Sequence, residues 1–571
     1  VNHRYGHRLC LAITILLLAL SSAALQAKTW VKELAPGVTY IQIVRTPEEG
    51  GVPRIINALK IDPKTPGVEI RSVLAHDQVN GLDPTRGRET MGSIAKRLKA
   101  TAVINTDFCN WTGDPLGLHI EKGELVSEPY PRRTMFGITA DGKHLYDVLG
   151  WSAKVTLPDG KSRDINGIDR DRGGGELIAY TRKWFPSTCT KDNGSEAVIT
   201  TTDLPVRIGV PIKGKVTALR PNLGDTPIPE DGIVLSGGGV AGGFIANNLE
   251  EGMEVTLTFN VIPTSTTGWE NVVEAAGGAP RLLRNGEICA NFEQEGVSTS
   301  HCTITHPRSA LGSTADGRLV LVTVDGRQYN ATGMAMTDLA KLMKEFECVD
   351  ALSLDGGGST TMATYFGILN SPSDGKLRPL PNGIAVFAPE SSFSAPEFKV
   401  VAPVDSIMTG ESMQLSLVDA ATGKPLDQQT ADRAIWSTAA AMGFVDQSGK
   451  FTGYGAGKVE IVVKLGSRLA STIIETLPGP PQKLLASLEK DNPDTTNRSV
   501  VVITVTDKNW NRLKGVTVKV KGARCTPDSA QGVTGEDGKV SIGITWDGAS
   551  GGQVEVTSGS LKPVVVKQGG K

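Results

Sequence analysis

An acid, three glycines and three hydroxyl residues follow one another at Asp355, Gly356, Gly357, Gly358, Ser359, Thr360 and Thr361. The apolar run at 349–354 reads as a strand, so the acid stands at a strand tip beside bare backbone N–H groups. Glycines carry no Cβ to hold a ligand away from the main chain. Backbone amides arranged in such a nest bind anions, phosphate above all. The bland alternative is a tight turn with a satisfied capping acid, which seldom needs three glycines and three hydroxyls in a row. Upstream, His306-Pro-Arg308 offers a guanidinium that can take carboxylate or phosphate through a planar fork, or serve in a surface ion pair. Asp325-Gly-Arg327 follows the apolar run 319–324 and adds an acid and a base, although Asp-Gly is also a hairpin turn signal. Asn105, Asp107 and Phe108 place an amide, an acid and an aromatic face together, which suits a sugar ring; a strand-end Asn capping a turn is the alternative. Asp374, Arg378 and Asn382 form a polar loop of the same kind near residue 380. Asp355 and Asp107, with Asp325 third, are the candidate catalytic carboxylates. Asn105, Phe108, His306, Arg308, Arg327, Gly356, Gly357, Gly358, Ser359, Thr360, Asp374, Arg378 and Asn382 are the candidate substrate contacts.

Two helices are expected to aim these groups. Residues 89–99 put Met91, Ile94, Ala95 and Leu98 on one face, and a second helix starting at the cap candidate Thr337 does so with Leu339, Leu342, Met343 and Phe346. Each runs into a strand, 101–104 and 349–354, whose end carries a polar constellation. Two matching helix–strand units of this kind predict a shared pocket at one sheet edge. Ser236-Gly-Gly-Gly-Val-Ala-Gly242 matches a dinucleotide fingerprint, but only a short helical stretch separates it from the next strand, so no βαβ unit is expected there. The acidic, glycine-rich stretch 164–176 lacks the spacing of a calcium loop and reads as a hairpin turn.

A chain of 571 residues holds several domains. Arg4, His7 and Arg8 before the apolar run 9–20, with small residues after it, read as an export signal over residues 1–27. A dozen apolar residues are too few to span a membrane comfortably, and no later segment could span one. Residues 28–389 form a continuous strand-rich stretch. Proline-rich linkers at 389–396 and 478–481 set off two further segments, 397–477 and 482–571, with regular short strands and Gly/Asp turns, the pattern of all-β sandwiches. The expected fold class is thus an α+β, strand-rich domain with a few helices packed on mixed sheets, followed by two immunoglobulin-like sandwiches. A net charge of −2 gives no electrostatic case for nucleic acid. Six cysteines follow the leader, an even number that suits an oxidising compartment; Cys289 and Cys302 suit a local disulfide, and Cys109 with Cys189 is a second candidate pair. No C-x-x-C or His/Cys cluster is present, so neither a metal site nor a cofactor is expected.

Taken in order, the segments 102–108, 115–125, 277–286, 306–312, 324–327, 333–342, 354–359, 370–374 and 378–383 resemble the phosphodiester glycosidase family. The resemblance covers residues 30–389. The second position of Asn105-Thr-Asp-Phe and the residue after it, Cys109, depart from the family pattern. Membership implies hydrolysis of the C1–O bond of a sugar-1-phosphodiester of the N-acetylhexosamine kind, releasing sugar and a phosphomonoester. The last two segments resemble bacterial immunoglobulin-like repeats, the second with the Asp-Gly-Lys turn of the invasin type. That implies a bacterial protein, secreted or at the cell surface, acting on a phosphopolymer or other sugar phosphate, with modules that space it or touch envelope glycans. The rival readings are a non-catalytic surface protein that binds sugar and a metal-dependent phosphoesterase built on Asp107, Asp325 and Asp355.

Overall fold

The computed structural model describes residues 27–45, 52–110, 112–289, 291–328, 330–490, 497–548 and 550–569; the expected export signal lies outside them apart from its last residue. The run Leu319–Val324 shows why the sheets form as they do. All six of its residues are buried, and successive side chains point to opposite faces. Leu319 and Leu321 enter one core with Leu59, Phe136 and Ile104. Val320 and Val322 enter another with Met336, Leu339 and Met343. A strand apolar at every position must be covered on both sides, and here it is.

That strand sits inside an eight-stranded antiparallel sheet, in the order Lys28–Ala35, Val38–Arg45, Arg54–Ile61, Leu319–Val324, Arg308–Thr314, Cys348–Ser353, Arg281–Arg284 and Glu287–Ile288. Helix Met336–Glu345 covers one face. It begins one residue before Thr337, its N-cap being Ala335 with no side-chain hydrogen bond, so the predicted cap is corrected. Met336 takes a buried position that Thr337 could not fill. The other expected helix, read over 89–99, is shorter, Met91–Leu98, and is capped by Thr90, whose hydroxyl accepts from Ser93 N at 3.2 Å. It packs on a different sheet, which includes Met362–Thr364, Ala102–Asn105, Asn382–Phe387 and Glu69–Leu74. A twelve-stranded sheet built around His144–Thr156 and Glu254–Pro263 completes the set. It is mixed through one short parallel pair, Gly167–Ile168 with Leu177–Tyr180.

The glycine fingerprint near residue 238 lies where strand Gly232–Gly238 meets helix Gly239–Asn248. The next strand, Glu254–Pro263, pairs antiparallel with Ile212–Pro221 and His144–Thr156, so the parallel crossover of a dinucleotide site is not made. Among the described residues, no helix is long and apolar enough to cross a membrane.

The chain divides into two compact units. One runs up to Glu397 and includes Leu426–Ala441 and Val462–Ala470; the other holds Phe398–Pro425, Met442–Ile461 and Ser471–Lys571. The second unit is all-β in its sheets. Its C-terminal part has two four-stranded antiparallel sheets, Lys483–Lys490, Arg498–Thr506, Lys539–Trp546 and Cys525–Pro527, then Gln531–Val533, Thr517–Ala523, Gln553–Thr557 and Val564–Lys567. Val501, Ile503, Val518, Ile544, Trp546 and Val554 fill its core, as the alternating pattern predicts for a sandwich.

The expected disulfide is not formed. Cys289 and Cys302 are both free, as are Cys109 and Cys189. Cys302 sits on the short helix Thr299–Thr303 and points into the core with Met336 and Leu339. Cys289 instead follows the edge strand Glu287–Ile288, held by its N–H to Leu282 O at 3.0 Å. Burial raises the pKa of both thiols.

Candidate active site

Strands Ala102–Asn105 and Cys348–Ser353 lie in different sheets, which corrects the expectation of one shared sheet edge. Their ends nevertheless meet, and Asn105 joins them. Its amide donates to Asp355 O at 2.7 Å, while its carbonyl oxygen accepts from Ser309 Oγ at 2.8 Å and Thr361 N at 3.0 Å. Asp355 N–H donates in turn to Thr106 O at 2.8 Å. A buried amide with both ends spent in this way fixes the Asp355 backbone; Asn105 is a positioning residue rather than a sugar contact.

The Asp355 carboxyl is half-buried. Burial pushes its pKa up to about 6, against the opposing pull of a Ser359 hydrogen bond, the Arg378 charge, the Gly356 amide and the Arg133 charge. Asp107 lies deeper, 2% exposed. Burial raises its pKa to about 7; the Gly117 amide, the Arg133 charge and the Phe108 amide work against this, and the Asp355 charge adds to it. The two acids therefore feel each other. Gly117 N and Phe108 N donate to opposite Asp107 oxygens at 2.6 and 2.7 Å. A Cβ on Gly277 would overlap one of those oxygens, so glycine there is what admits the carboxylate. Asn382 holds the same segment: its carbonyl accepts from Thr106 Oγ1 at 2.9 Å and Asp107 N at 3.3 Å, and its amide donates to His119 Nδ1 at 3.2 Å. Asn382 is fully buried and positions Asp107 instead of touching substrate.

The glycine loop is less open than its sequence suggests. Gly357–Ser359 is a 3₁₀ turn. Gly357 N–H donates to Pro307 O at 2.9 Å, Ser359 N–H to Gly356 O and Thr360 N–H to Gly357 O, both at 3.2 Å, while the Gly356 amide serves Asp355. Most of the predicted nest is thus spent on the fold. The glycines serve close approach. Gly357, at φ 63°, leaves room for the Arg327 guanidinium, and a Cβ on Gly358 would overlap the Asp374–Arg378 pair. Arg378 donates to Asp374 Oδ2 at 2.7 Å and Ser359 Oγ at 3.2 Å. Thr360 is buried, its carbonyl accepting from Asn370 Nδ2 at 3.1 Å.

Arg308 departs furthest from the sequence reading. Its side chain is 1% exposed. It donates to Met334 O at 2.9 Å, His301 O at 2.6 Å, Ile304 O at 3.0 Å and His301 Nε2 at 3.0 Å. Burial lowers its pKa to about 10. This fork clamps protein backbone and has little left for phosphate. His306, half-buried, sits 3.4 Å from Arg327 Nη2 through Nδ1, with burial and then the Arg308 and Arg327 charges lowering its pKa. Arg327 itself is exposed.

Asp325 is likewise internal. Ser371 N donates to both its oxygens at 3.0 and 3.1 Å and Asn370 Nδ2 to one at 3.0 Å, and burial raises its pKa to about 7. It anchors the loop that carries Asp374. Asp325→Ala is expected to cost about 2–4 kcal/mol by leaving two buried donors unpaired, read as a lowered urea midpoint.

Sequence reasoning missed Arg133. Its guanidinium lies 4.7 Å from the Phe108 ring centroid and 4.6 Å from that of Tyr130, and its charge acts on Asp107 and Asp355. The local signal was Tyr130 three residues before it, which has meaning only once Phe108 is seen on the other side.

Residues 208–387 match the family described as phosphodiester glycosidase. That segment carries Asp355, the glycine turn, Arg327, Asp374 and Arg378 together. Asp107 and Phe108, just after strand Ala102–Asn105, and Arg133, just before strand Thr134–Thr139, lie outside the matched residues. Among curated relatives, the prophage-derived protein YomE of Bacillus subtilis is 35% identical over 97 residues, 17% of this chain and 15% of its own. N-acetylglucosamine-1-phosphodiester α-N-acetylglucosaminidase of Mus musculus is 29% identical over 111 residues, 18% of this chain and 21% of its own. The chain thus spans about a fifth or less of these relatives' lengths. A solved structure from Burkholderia pseudomallei shares the fold, with a TM-score of 0.52 and 18% identity over 63% of this chain and 96% of that one.

Proposed function

We propose that the first unit is a hydrolase that cleaves the C1–O bond of a sugar-1-phosphodiester, with an N-acetylhexosamine as the sugar. The observation that carries the reading is the carboxyl pair: a half-buried Asp355 raised to about 6 beside a buried Asp107 raised to about 7, in a segment of phosphodiester glycosidase sequence. As the C1–O bond breaks, its electron pair leaves on the phosphate oxygen and positive charge gathers at C1 and the ring oxygen. An ionised Asp355 stabilises that charge. Water supplies the oxygen that ends on C1, and its proton passes to a carboxylate. A phosphate leaving group needs little protonation, which suits a site whose second acid is held by two amides. Arg327, exposed beside the glycine turn, supports recognition of an anionic substrate. An exported bacterial protein is part of the same proposal, resting on the apolar run 9–20 and the all-β modules.

The test is incubation with a UDP-N-acetylhexosamine and with an aryl phospho-sugar, wild type against Asp355→Asn. Free sugar from wild type alone is the expected result. Phosphate or nucleoside release without free sugar would favour a phosphoesterase, and no turnover of either compound would remove the glycosidase reading.

A further inference from the structure

The anion that this reaction must hold has lost most of the partners the sequence offered it. Arg308 is spent on backbone carbonyls and His301. Arg378 is paired with Asp374 and Ser359, and the amides of Gly356 and Gly357 are committed to Asp355 and Pro307. Arg133 is not committed. Its Nε and Nη1 are buried and have no hydrogen-bond partner among the described residues. Buried guanidinium N–H groups left unpaired cost free energy, on the order of 1–3 kcal/mol each, and a fold tolerates that where a ligand is to be received.

The surroundings prepare Arg133 for that task. Phe108 and Tyr130 offer ring faces at 4.7 and 4.6 Å, which restrain the guanidinium by stacking and cation–π attraction. The ring contacts leave the Nε and Nη1 hydrogen-bonding groups without a protein partner, available to a tetrahedral oxyanion. Side-chain freedom is lost in folding rather than in binding, so less affinity is sacrificed when the ligand arrives. Its charge reaches Asp107 and Asp355 without a direct hydrogen bond to either, which places it beside the reacting pair and not in an ion pair that would quench it.

We propose that Arg133, held between Phe108 and Tyr130, is the residue that binds the phosphate of the departing group, and so selects anionic phosphodiester substrates. The inference rests on the glycosidase reading above for the identity of the anion; the anion site itself is testable separately. Arg133 touches the phosphate only, so its loss acts on binding of substrate and of the leaving anion more than on the bond-breaking carboxylates.

Two measurements on the full chain decide it. Calorimetric titration of Asp355→Asn with inorganic phosphate should show binding that weakens at least about tenfold in Asp355→Asn/Arg133→Gln. Steady-state kinetics on UDP-N-acetylglucosamine should show KM raised at least about tenfold by Arg133→Gln, with a smaller change in kcat and an intermediate KM for Arg133→Lys, which keeps the charge but loses the fork. Unchanged phosphate affinity and unchanged KM in Arg133→Gln would overturn the proposal. Should Arg133→Gln not fold, Arg133→Lys carries the test: wild-type KM and phosphate affinity in it would count against the two-pronged contact. Phosphate binding that depends on Arg133 in a chain that hydrolyses no sugar phosphodiester would uphold the anion site and remove the glycosidase reading. Hydrolysis with a KM indifferent to Arg133 would do the reverse.

Discussion

Asp355→Asn is expected to lower kcat on a sugar phosphodiester by about 10³-fold or more while leaving KM within a few-fold and the fold intact. The asparagine keeps the shape of the side chain, and the backbone around it is fixed from outside: Asp355 N by Thr106 O and Asp355 O by Asn105. What is lost is negative charge at a position where the ring becomes positive. The pH dependence carries the same argument. With Asp355 near 6 and Asp107 near 7, and each charge disfavouring the other, the protons leave in two steps that belong to the pair. In wild type kcat/KM should fall below about pH 6, as the working carboxylate takes up its proton, and that limb should vanish in Asp355→Asn. Stability moves oppositely. Asp107 keeps its proton in the folded state to about 7, whereas an unfolded aspartate loses it near 4. Between those values the folded chain binds more protons, so stability from this group is complete at low pH and declines as pH rises through about 7. Asp107→Asn should flatten that decline, as seen in urea midpoints from pH 4 to pH 8. An acid limb that persists unchanged in Asp355→Asn would assign the catalytic charge elsewhere.

The chemistry was legible where it is written locally. A strand followed by Asp-Gly-Gly-Gly-Ser puts an acid at a strand tip whatever the rest of the chain does, and Asp355 is found there. The Met91–Leu98 helix follows from its period, and the buried strands from short apolar runs bounded by turn residues. What stayed hidden is long-range. Nothing in the residues around Asn105 says that its amide will reach across to Asp355, 250 positions away. Nothing around Gly357 says that Pro307 will take its N–H. Arg133 has chemical meaning only with Phe108 stacked on it, and that pairing crosses from a strand end to a separate turn. Arg308 fails in the opposite direction: a motif that reads as an anion fork becomes internal because the chain at 301–304 folds back over it.

Arg308→Gln is expected to destabilise the first unit by about 3–5 kcal/mol, a larger effect than any other single change at the site. Met334 O, His301 O and Ile304 O all receive the guanidinium, and glutamine can reach at most one or two of them. The carbonyls left behind lose their donor, Met334 O among them in a buried residue, and part of the guanidinium volume becomes a cavity. Arg308→Lys should recover little, because a single ammonium cannot span three acceptors with the geometry of a planar fork. His301 supplies a second check. Burial and then the Arg308 charge hold its pKa down to about 4, so removing that charge should raise it, visible by NMR in whatever fraction stays folded. A phosphate-binding Arg308 would behave differently: KM would rise at wild-type stability. A melting temperature unchanged in Arg308→Gln would return Arg308 to the substrate. A large loss of stability, with the KM of the folded fraction little altered, fixes it as the clamp that seats His306 and the start of strand Arg308–Thr314 beside the glycine turn.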